Sequence, residues 1–113
     1  MGQFRFKHNT GAKKLEVVLE GTFDQKDDMA YITEYKRLVK SIDANNYEFH
    51  LDCTNFGVSA PNIAELLEER FKLYKDDNFK NITFILAENS VVLKMQFSRL
   101  AKKAGLTNYN IVM

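Results

Sequence analysis

The side chains best suited to chemistry lie close together in residues 47–53, where Glu48, His50 and Asp52 occupy alternate positions. Two carboxylates and an imidazole can serve in general acid–base catalysis or in metal binding. On a β-strand, however, residues two apart are separated by about 6.5–7 Å, too far for direct hydrogen bonds. A metal would need further ligands, and His8 is the only other histidine. We therefore interpret the three side chains as the polar face of a sheet, and we expect a protein that is not an enzyme and holds no metal or cofactor.

The single cysteine, Cys53, lies on the apolar side of the same stretch. We expect a buried, inert thiol and not a nucleophile. One cysteine forms no internal disulfide, which favours a reducing compartment. The chain shows no secretory signal and no apolar run near the ~20 residues that span a bilayer. A formal net charge of +1 provides no field that attracts DNA or RNA. The sequence thus predicts a cytoplasmic protein that binds neither membrane nor nucleic acid.

A cluster of basic side chains lies near the end of the chain, with no acidic residue between Val91 and Leu106. Its members are Lys94, Arg99, Lys102 and Lys103. Binding of phosphate or of an acidic protein would use such a cluster. We favour a solvated helix face, since the helix dipole stabilises cations near a helix C-terminus.

The spacing of apolar residues predicts the elements that position these groups. Apolar and polar residues alternate in residues 47–53, where the apolar ones are Tyr47, Phe49, Leu51 and Cys53. A parallel strand that helices cover on both faces is instead an unbroken run of apolar residues. We therefore expect helices mainly on one face of the sheet. The other patterns predict an antiparallel hairpin of strands at 3–7 and 15–23, and two further strands at 82–87 and 108–113. They also predict helices at 24–42, 59–74 and 90–104. We expect Ser90 to cap the last helix. The order ββαβαβαβ predicts one α/β domain with a mixed sheet over residues 1–113.

Two short motifs resemble those of the STAS domain, a family named for sulfate transporters and anti-sigma-factor antagonists. Residues 19–24, LEGTFD, are similar to the family's strand-ending l-x-G-x-h-D signature, in which h is apolar. Residues 49–54, FHLDCT, are similar to its central h-h-h-D-h-S/T strand. The resemblance extends from about Leu15 to Val112. It implies a βα superhelix with helices gathered on one side of the sheet, and a regulatory module that binds a protein partner.

The family's regulatory serine has no counterpart in this chain. In the family it lies in an Asp-Ser-Ser/Thr-Gly sequence at the start of the helix after the central strand, where a kinase that is itself the anti-sigma factor phosphorylates it. Counting from Asp52 places Pro61 at that position, or Ala60 if one residue is deleted, and the signature glycine is missing. We therefore expect a STAS-like scaffold without this phospho-switch.

The loop predicted at residues 54–62 is the best candidate for a functional surface. It leads to a helix N-terminus, whose free N–H groups favour an anion or a partner's acidic side chain. Its candidate binding or regulatory residues are Thr54, Asn55, Ser59 and Asn62. A purely structural connection is the competing interpretation, since every βα unit has such a loop.

Two functional hypotheses follow from these observations, and the oligomeric state is left open. The first is a non-enzymatic protein-interaction module of the STAS-like class. The alternative is a small-molecule binder that holds an anion or an acyl ligand near the loop or over the polar sheet face. A deep apolar pocket between sheet and helices would favour the alternative.

Ser59 is the hydroxyl nearest to the missing phosphoacceptor, and we predict that it is a helix cap and not a switch. Ser59→Ala should lower the free energy of unfolding by about 1 kcal/mol, because a capping hydrogen bond is lost, and leave partner binding intact. Ser59→Glu adds a charge that a helix N-terminus tolerates, so it should not release a partner. Intact-mass measurement of protein purified from its own cells provides the test. A phosphate on Ser59, together with weaker partner binding by Ser59→Glu, would contradict the prediction.

Overall fold

Five β-strands and three α-helices follow one another in the order ββαβαβαβ in the computed structural model, which describes residues 2–57 and 63–113. The strands are β1 (Gln3–Asn9), β2 (Lys14–Thr22), β3 (Glu48–Gly57), β4 (Asn81–Ile85) and β5 (Tyr109–Val112), and the helices are α1 (Gln25–Lys40), α2 (Ile63–Asp77) and α3 (Val91–Ala104). The predicted order and the α/β class are confirmed. The predicted start of the second helix, at residues 59–61, lies outside the described residues.

The five strands form one sheet in chain order, β1-β2-β3-β4-β5. β1 is antiparallel to β2, which confirms the hairpin, and the remaining neighbours are parallel. Each helix therefore connects a strand to the parallel strand beside it, and all three connections move in the same direction across the sheet. Because such crossovers are right-handed, all three helices lie on one face of the sheet. The prediction of a mixed sheet with helices on one face is confirmed.

Aromatic rings fill the centre of the core, between the sheet and the helices. Phe49, in the middle of β3, has no exposed surface. Its ring centroid lies 4.9 Å from that of Phe79, 5.1 Å from that of Tyr74 and 5.6 Å from that of Tyr35. β3 thus joins α1, α2 and the start of β4 through one cluster of stacked and edge-on rings.

The opposite face of the sheet carries Glu48, His50 and Asp52, as the alternation predicts. His50 and Asp52 line a shallow depression together with Arg5 and Glu16 from the neighbouring strands. The side chain of His50 is 22% exposed, and its Nε2 lies 3.5 Å from Glu48 Oε1. The prediction that side chains two apart on this strand are too far apart for a direct hydrogen bond is wrong, because long side chains can lean along the strand toward each other. The face is polar and free of helices, but its side chains are half-buried because their neighbours on the sheet shield them.

The helix ends follow local sequence signals, with one exception. Asp24 and Asp27 form a capping box at the start of α1: the N–H of Asp27 donates to Asp24 Oδ1 at 2.8 Å, and the N–H of Asp24 donates to Asp27 Oδ2 at 3.2 Å. Gly105 ends α3 in the left-handed conformation, with φ of 81°. The prediction that the side chain of Ser90 caps α3 is wrong. Ser90 occupies the N-cap position, but its ψ of 55° is not the extended one that directs a capping oxygen at the helix, and no capping hydrogen bond forms.

We predict that Phe49→Ala lowers the free energy of unfolding by about 3–5 kcal/mol, since removing the ring empties the centre of the aromatic cluster. Val92→Ala is the control, because Val92 is 81% exposed and should change stability by less than about 0.5 kcal/mol. Equilibrium denaturation in urea measures both variants. A loss below about 1 kcal/mol for Phe49→Ala would contradict the packing of the cluster.

Candidate functional site

The carboxyl ends of β2, β3, β4 and β5 meet at one edge of the sheet, because these strands are parallel. We call this edge, with the helix turns that begin there, the carboxyl edge; among the described residues it comprises 21–29, 54–57, 63–66, 86–95 and 112–113. In doubly wound α/β proteins, ligands bind at this edge in a crevice where the strand order reverses. The order of this sheet does not reverse. The fold therefore provides no such crevice, and the carboxyl edge is a surface.

Thr54 and Asn55 lie at the carboxyl edge and are exposed, but the prediction that they belong to a loop is wrong. β3 continues to Gly57, and Asn55 pairs with Glu20 of β2. The pairing is possible because a register shift between Val18 and Glu20 carries β2 alongside the longer strand. The alternation of apolar residues stops at Cys53, so the sequence pattern did not reveal the extension.

A local side-chain contact joins Asp52 to Thr54 within β3. The backbone N–H and the hydroxyl of Thr54 both donate to Asp52 Oδ1, at 3.0 and 2.6 Å. These bonds use the Thr54 hydroxyl as a donor within the strand and assign Asp52 a structural role. The other two predicted site residues, Ser59 and Asn62, lie outside the described part of the chain.

Six large apolar side chains are exposed among the described residues, and all six lie at the carboxyl edge. They are Met29, Val91, Val92, Met95, Val112 and Met113. Isolated exposed apolar residues are ordinary, but their concentration at one edge is typical of an interaction surface. The sequence analysis missed this set. Its signal was present in α3, where the two valines and Met95 lie off the apolar stripe that packs on the sheet.

A largely buried ion pair joins α1 to α2 at the carboxyl edge. Arg70 Nε lies 3.2 Å from Asp28 Oδ1, and the two side chains are 19% and 12% exposed. The Arg70 Nε–H is not aligned for a hydrogen bond. Burial raises the pKa of Asp28 above its ordinary value, and the positive charge of Arg70 offsets part of the rise. Sequence reasoning could not find the pair, because an acid in the first turn of a helix is already explained by the helix dipole.

The ion pair lines a small cavity between the sheet and the helices. The cavity has a volume of about 40 Å³, while one water molecule takes up about 30 Å³ in the liquid. Tyr31 and Tyr74 also line it, and their hydroxyls are hydrogen-bonded to each other at 2.7 Å. Most of the other side chains that line the cavity are apolar, among them Leu19, Leu51 and Phe71. An acyl chain does not fit this volume, so this cavity does not provide the deep apolar pocket that would favour the small-molecule alternative.

The other reactive groups are not assembled into one site. Cys53 is buried, and burial raises the pKa of its thiol far above the ordinary value, so the nucleophilic thiolate is suppressed. His8 contacts the Tyr47 hydroxyl at 2.9 Å on the face of the sheet that the helices cover, whereas His50 lies on the opposite face. Within residues 2–57 and 63–113, no three His, Cys, Asp or Glu side chains are placed to hold a metal ion. None of the helices in those ranges has the length and apolar character needed to cross a membrane.

Comparison with known proteins does not assign the chain to a family. No protein-family model matches it, and a search of curated proteins found no relative. The resemblance to the STAS domain therefore depends on the two motifs and on the arrangement of strands and helices.

Arg70→Met tests the ion pair, since it removes the charge that compensates Asp28 and keeps a long side chain. We expect the free energy of unfolding to fall by about 2–3 kcal/mol at neutral pH, because a buried carboxylate is left unpaired. The pKa of Asp28 in the folded state should then rise further above its ordinary value of 3.8. When folding raises the pKa of an acid, the ionised acid destabilises the folded state at any pH above that raised pKa. Protonation at lower pH removes this destabilisation. The stability difference between Arg70→Met and the unmodified protein should therefore shrink as the pH falls toward 3.8.

Lys72→Met is the control on the same helix. Lys72 pairs with Glu68 at 3.2 Å, but its side chain is 55% exposed, so its loss should change stability by less than about 0.5 kcal/mol. Denaturant titrations over a series of pH values measure both variants. If the loss for Arg70→Met were the same at every pH, lost packing would account for it, and the assignment to an unpaired charge would be wrong.

Proposed function

We propose that the protein is a non-enzymatic regulatory module of the STAS-like class, which acts in the cytoplasm by binding a protein partner through the carboxyl edge. The observation that supports this function best is the concentration of exposed apolar side chains at that edge. In the free chain these side chains remain in water, and burying them against a partner would stabilise a complex by roughly 25 cal/mol per Å². Methionine, which supplies three of the six side chains, is enriched at protein interfaces.

The geometry of the described residues favours a surface partner over a small ligand. The strand order forms no crevice at the carboxyl edge. The nearest cavity has a volume of about 40 Å³, far below the roughly 300–1,000 Å³ of small-molecule pockets. Most of its lining is apolar, and its polar groups already contact each other. Thr54, an exposed hydroxyl at this edge, is engaged by Asp52. These polar groups stabilise the scaffold and do not converge on a point where a small substrate would bind.

The motif residues that resemble the STAS family have local structural roles, which supports a STAS-like fold. Gly21 has φ of 77°, a conformation that favours glycine. Phe23 is buried in the core, and Asp24 caps α1. Asp52 binds Thr54 within β3. These residues lie at or near the carboxyl edge, and they support the surface that we propose as the binding site.

Photocrosslinking in the protein's own cells tests the proposal. A photoreactive amino acid placed at Met95, at the carboxyl edge, should capture one discrete protein partner. The same amino acid at Lys40, at the far end of α1, is the control and should capture none. Crosslinks of equal yield at both positions, or none at Met95, would contradict a partner at this edge.

Val92→Glu should abolish the crosslink from Met95, because a partner would have to desolvate the new carboxylate. The melting temperature should not change, since Val92 is 81% exposed and a helix N-terminus tolerates an acidic side chain. Retention of the crosslink in the folded variant would show that the exposed apolar side chains of α3 are not part of the interface.

A further inference from the structure

The outer surface of α3 combines apolar and basic side chains along one line. Its residues follow the spacing i, i+3, i+4, i+7, i+8 and i+11 and flank a shallow groove: Val91, Lys94, Met95, Ser98, Arg99 and Lys102. We call this set the α3 outer face. The opposite side of the helix is buried in the core through Phe97, Leu100, Ala101 and Ala104. On the α3 outer face, every residue except the half-exposed Ser98 is exposed, so the face does not contribute to the core.

The charge on this face is positive and largely uncompensated. α3 contains no acidic residue. Lys103, beside the face, pairs with Glu68 of α2 at 3.3 Å. No carboxylate of the described residues lies within ion-pair distance of Lys94, Arg99 or Lys102. An acidic partner would thus find three cations that are not already neutralised.

The position of Lys94 is the most informative, because helix stability does not explain it. Cations near the C-terminus of a helix are stabilised by the dipole, which accounts for Lys102 and Lys103. Lys94 lies in the first turns of α3, where the dipole disfavours a positive charge. It lies beside Val91 and Met95, two exposed apolar side chains. Folding explains neither this cation nor the exposed apolar groups beside it, and a bound partner would explain both.

We propose that the α3 outer face binds an acidic amphipathic helix of a partner protein, an inference that depends on the proposed function and names the partner's chemistry. The face from Val91 to Lys102 is about 16 Å long, three turns of helix, which suits one short helix laid along it. Apolar residues at one end of the partner would pack on Val91 and Met95. Carboxylates along the rest would pair with Lys94, Arg99 and Lys102.

A helix fits these observations better than an extended polyanion or a membrane. α2, which packs beside α3, carries five acidic and three basic residues. The positive surface therefore ends at α3 and does not form the broad basic field that attracts a nucleic acid. The exposed apolar side chains of α3 are valine and methionine, without the tryptophan, phenylalanine and leucine by which interfacial helices enter lipid.

Fluorescence anisotropy of the full chain with a synthetic peptide provides the test. The probe is a fluorescein-labelled helical peptide of about 14 residues, whose contact side carries leucines at one end and glutamates along the rest. Lys94→Glu/Arg99→Glu should bind it about tenfold more weakly, because two ion pairs are replaced by repulsion. Lys36→Glu/Lys40→Glu on α1 carries the same change of net charge on exposed residues and should bind within about twofold of the unmodified protein. A peptide with lysine in place of glutamate should not bind.

Each other outcome overturns the inference. Equal weakening by the two double variants would show a non-specific charge effect. Sedimentation with phosphatidylserine vesicles that depends on Lys94 and Arg99, without peptide binding, would assign the face to a lipid surface. Absence of peptide binding while the Met95 crosslink still forms would overturn only the acidic helix and leave the proposed function in place. Loss of that crosslink as well would remove both.

Discussion

The right-handed crossover is the constraint on which the rest of this structure depends. Each parallel connection, β2-α1-β3, β3-α2-β4 and β4-α3-β5, moves one position in the same direction across the sheet. A right-handed crossover leaves its helix on a fixed side of the strand it leaves. Three steps in one direction therefore stack all the helices on one face, and only that face needs an apolar surface. The sequence of β3 reflects this constraint, because Phe49 and Leu51 are buried under the helices while His50 faces the other way.

The face without helices remains in contact with water, and cross-strand pairing of opposite charges suits it to that exposure. Lys7 lies opposite Glu16 where β1 pairs with β2, and Glu16 lies next to His50 of β3. Lys7 and Glu16 carry opposite charges and attract each other. The half-buried state of the side chains on this face follows from their neighbours on the sheet.

The same constraint determines what the sequence could reveal. Periodicity identifies residues that face a core, so the strands, the helices and the covered side of the sheet were predictable. Contacts between helices distant in sequence leave no periodic signal, and the Asp28–Arg70 pair was missed because each residue has an ordinary local explanation. The end of β3 was placed too early because backbone pairing with β2 continues where side-chain alternation does not. The exposed side chains of α3 could have been found on a helical projection, since Val92 and Met95 fall outside its buried stripe.

Residues that violate local structural rules, and whose violation does not stabilise the fold, indicate where in the chain function is to be sought. In this chain the STAS-like motif residues obey those rules: Gly21 adopts a glycine conformation and Asp24 caps a helix, so their presence is explained by folding alone. Val92 and Lys94 do not obey them, since one is an apolar side chain in water and the other a cation near a helix N-terminus. A sequence optimised only for stability would replace both. Both residues lie at the carboxyl edge, on the helix that carries the unpaired basic residues. For this reason we propose α3 as the binding element, one βα unit beyond the connection that the motifs suggested.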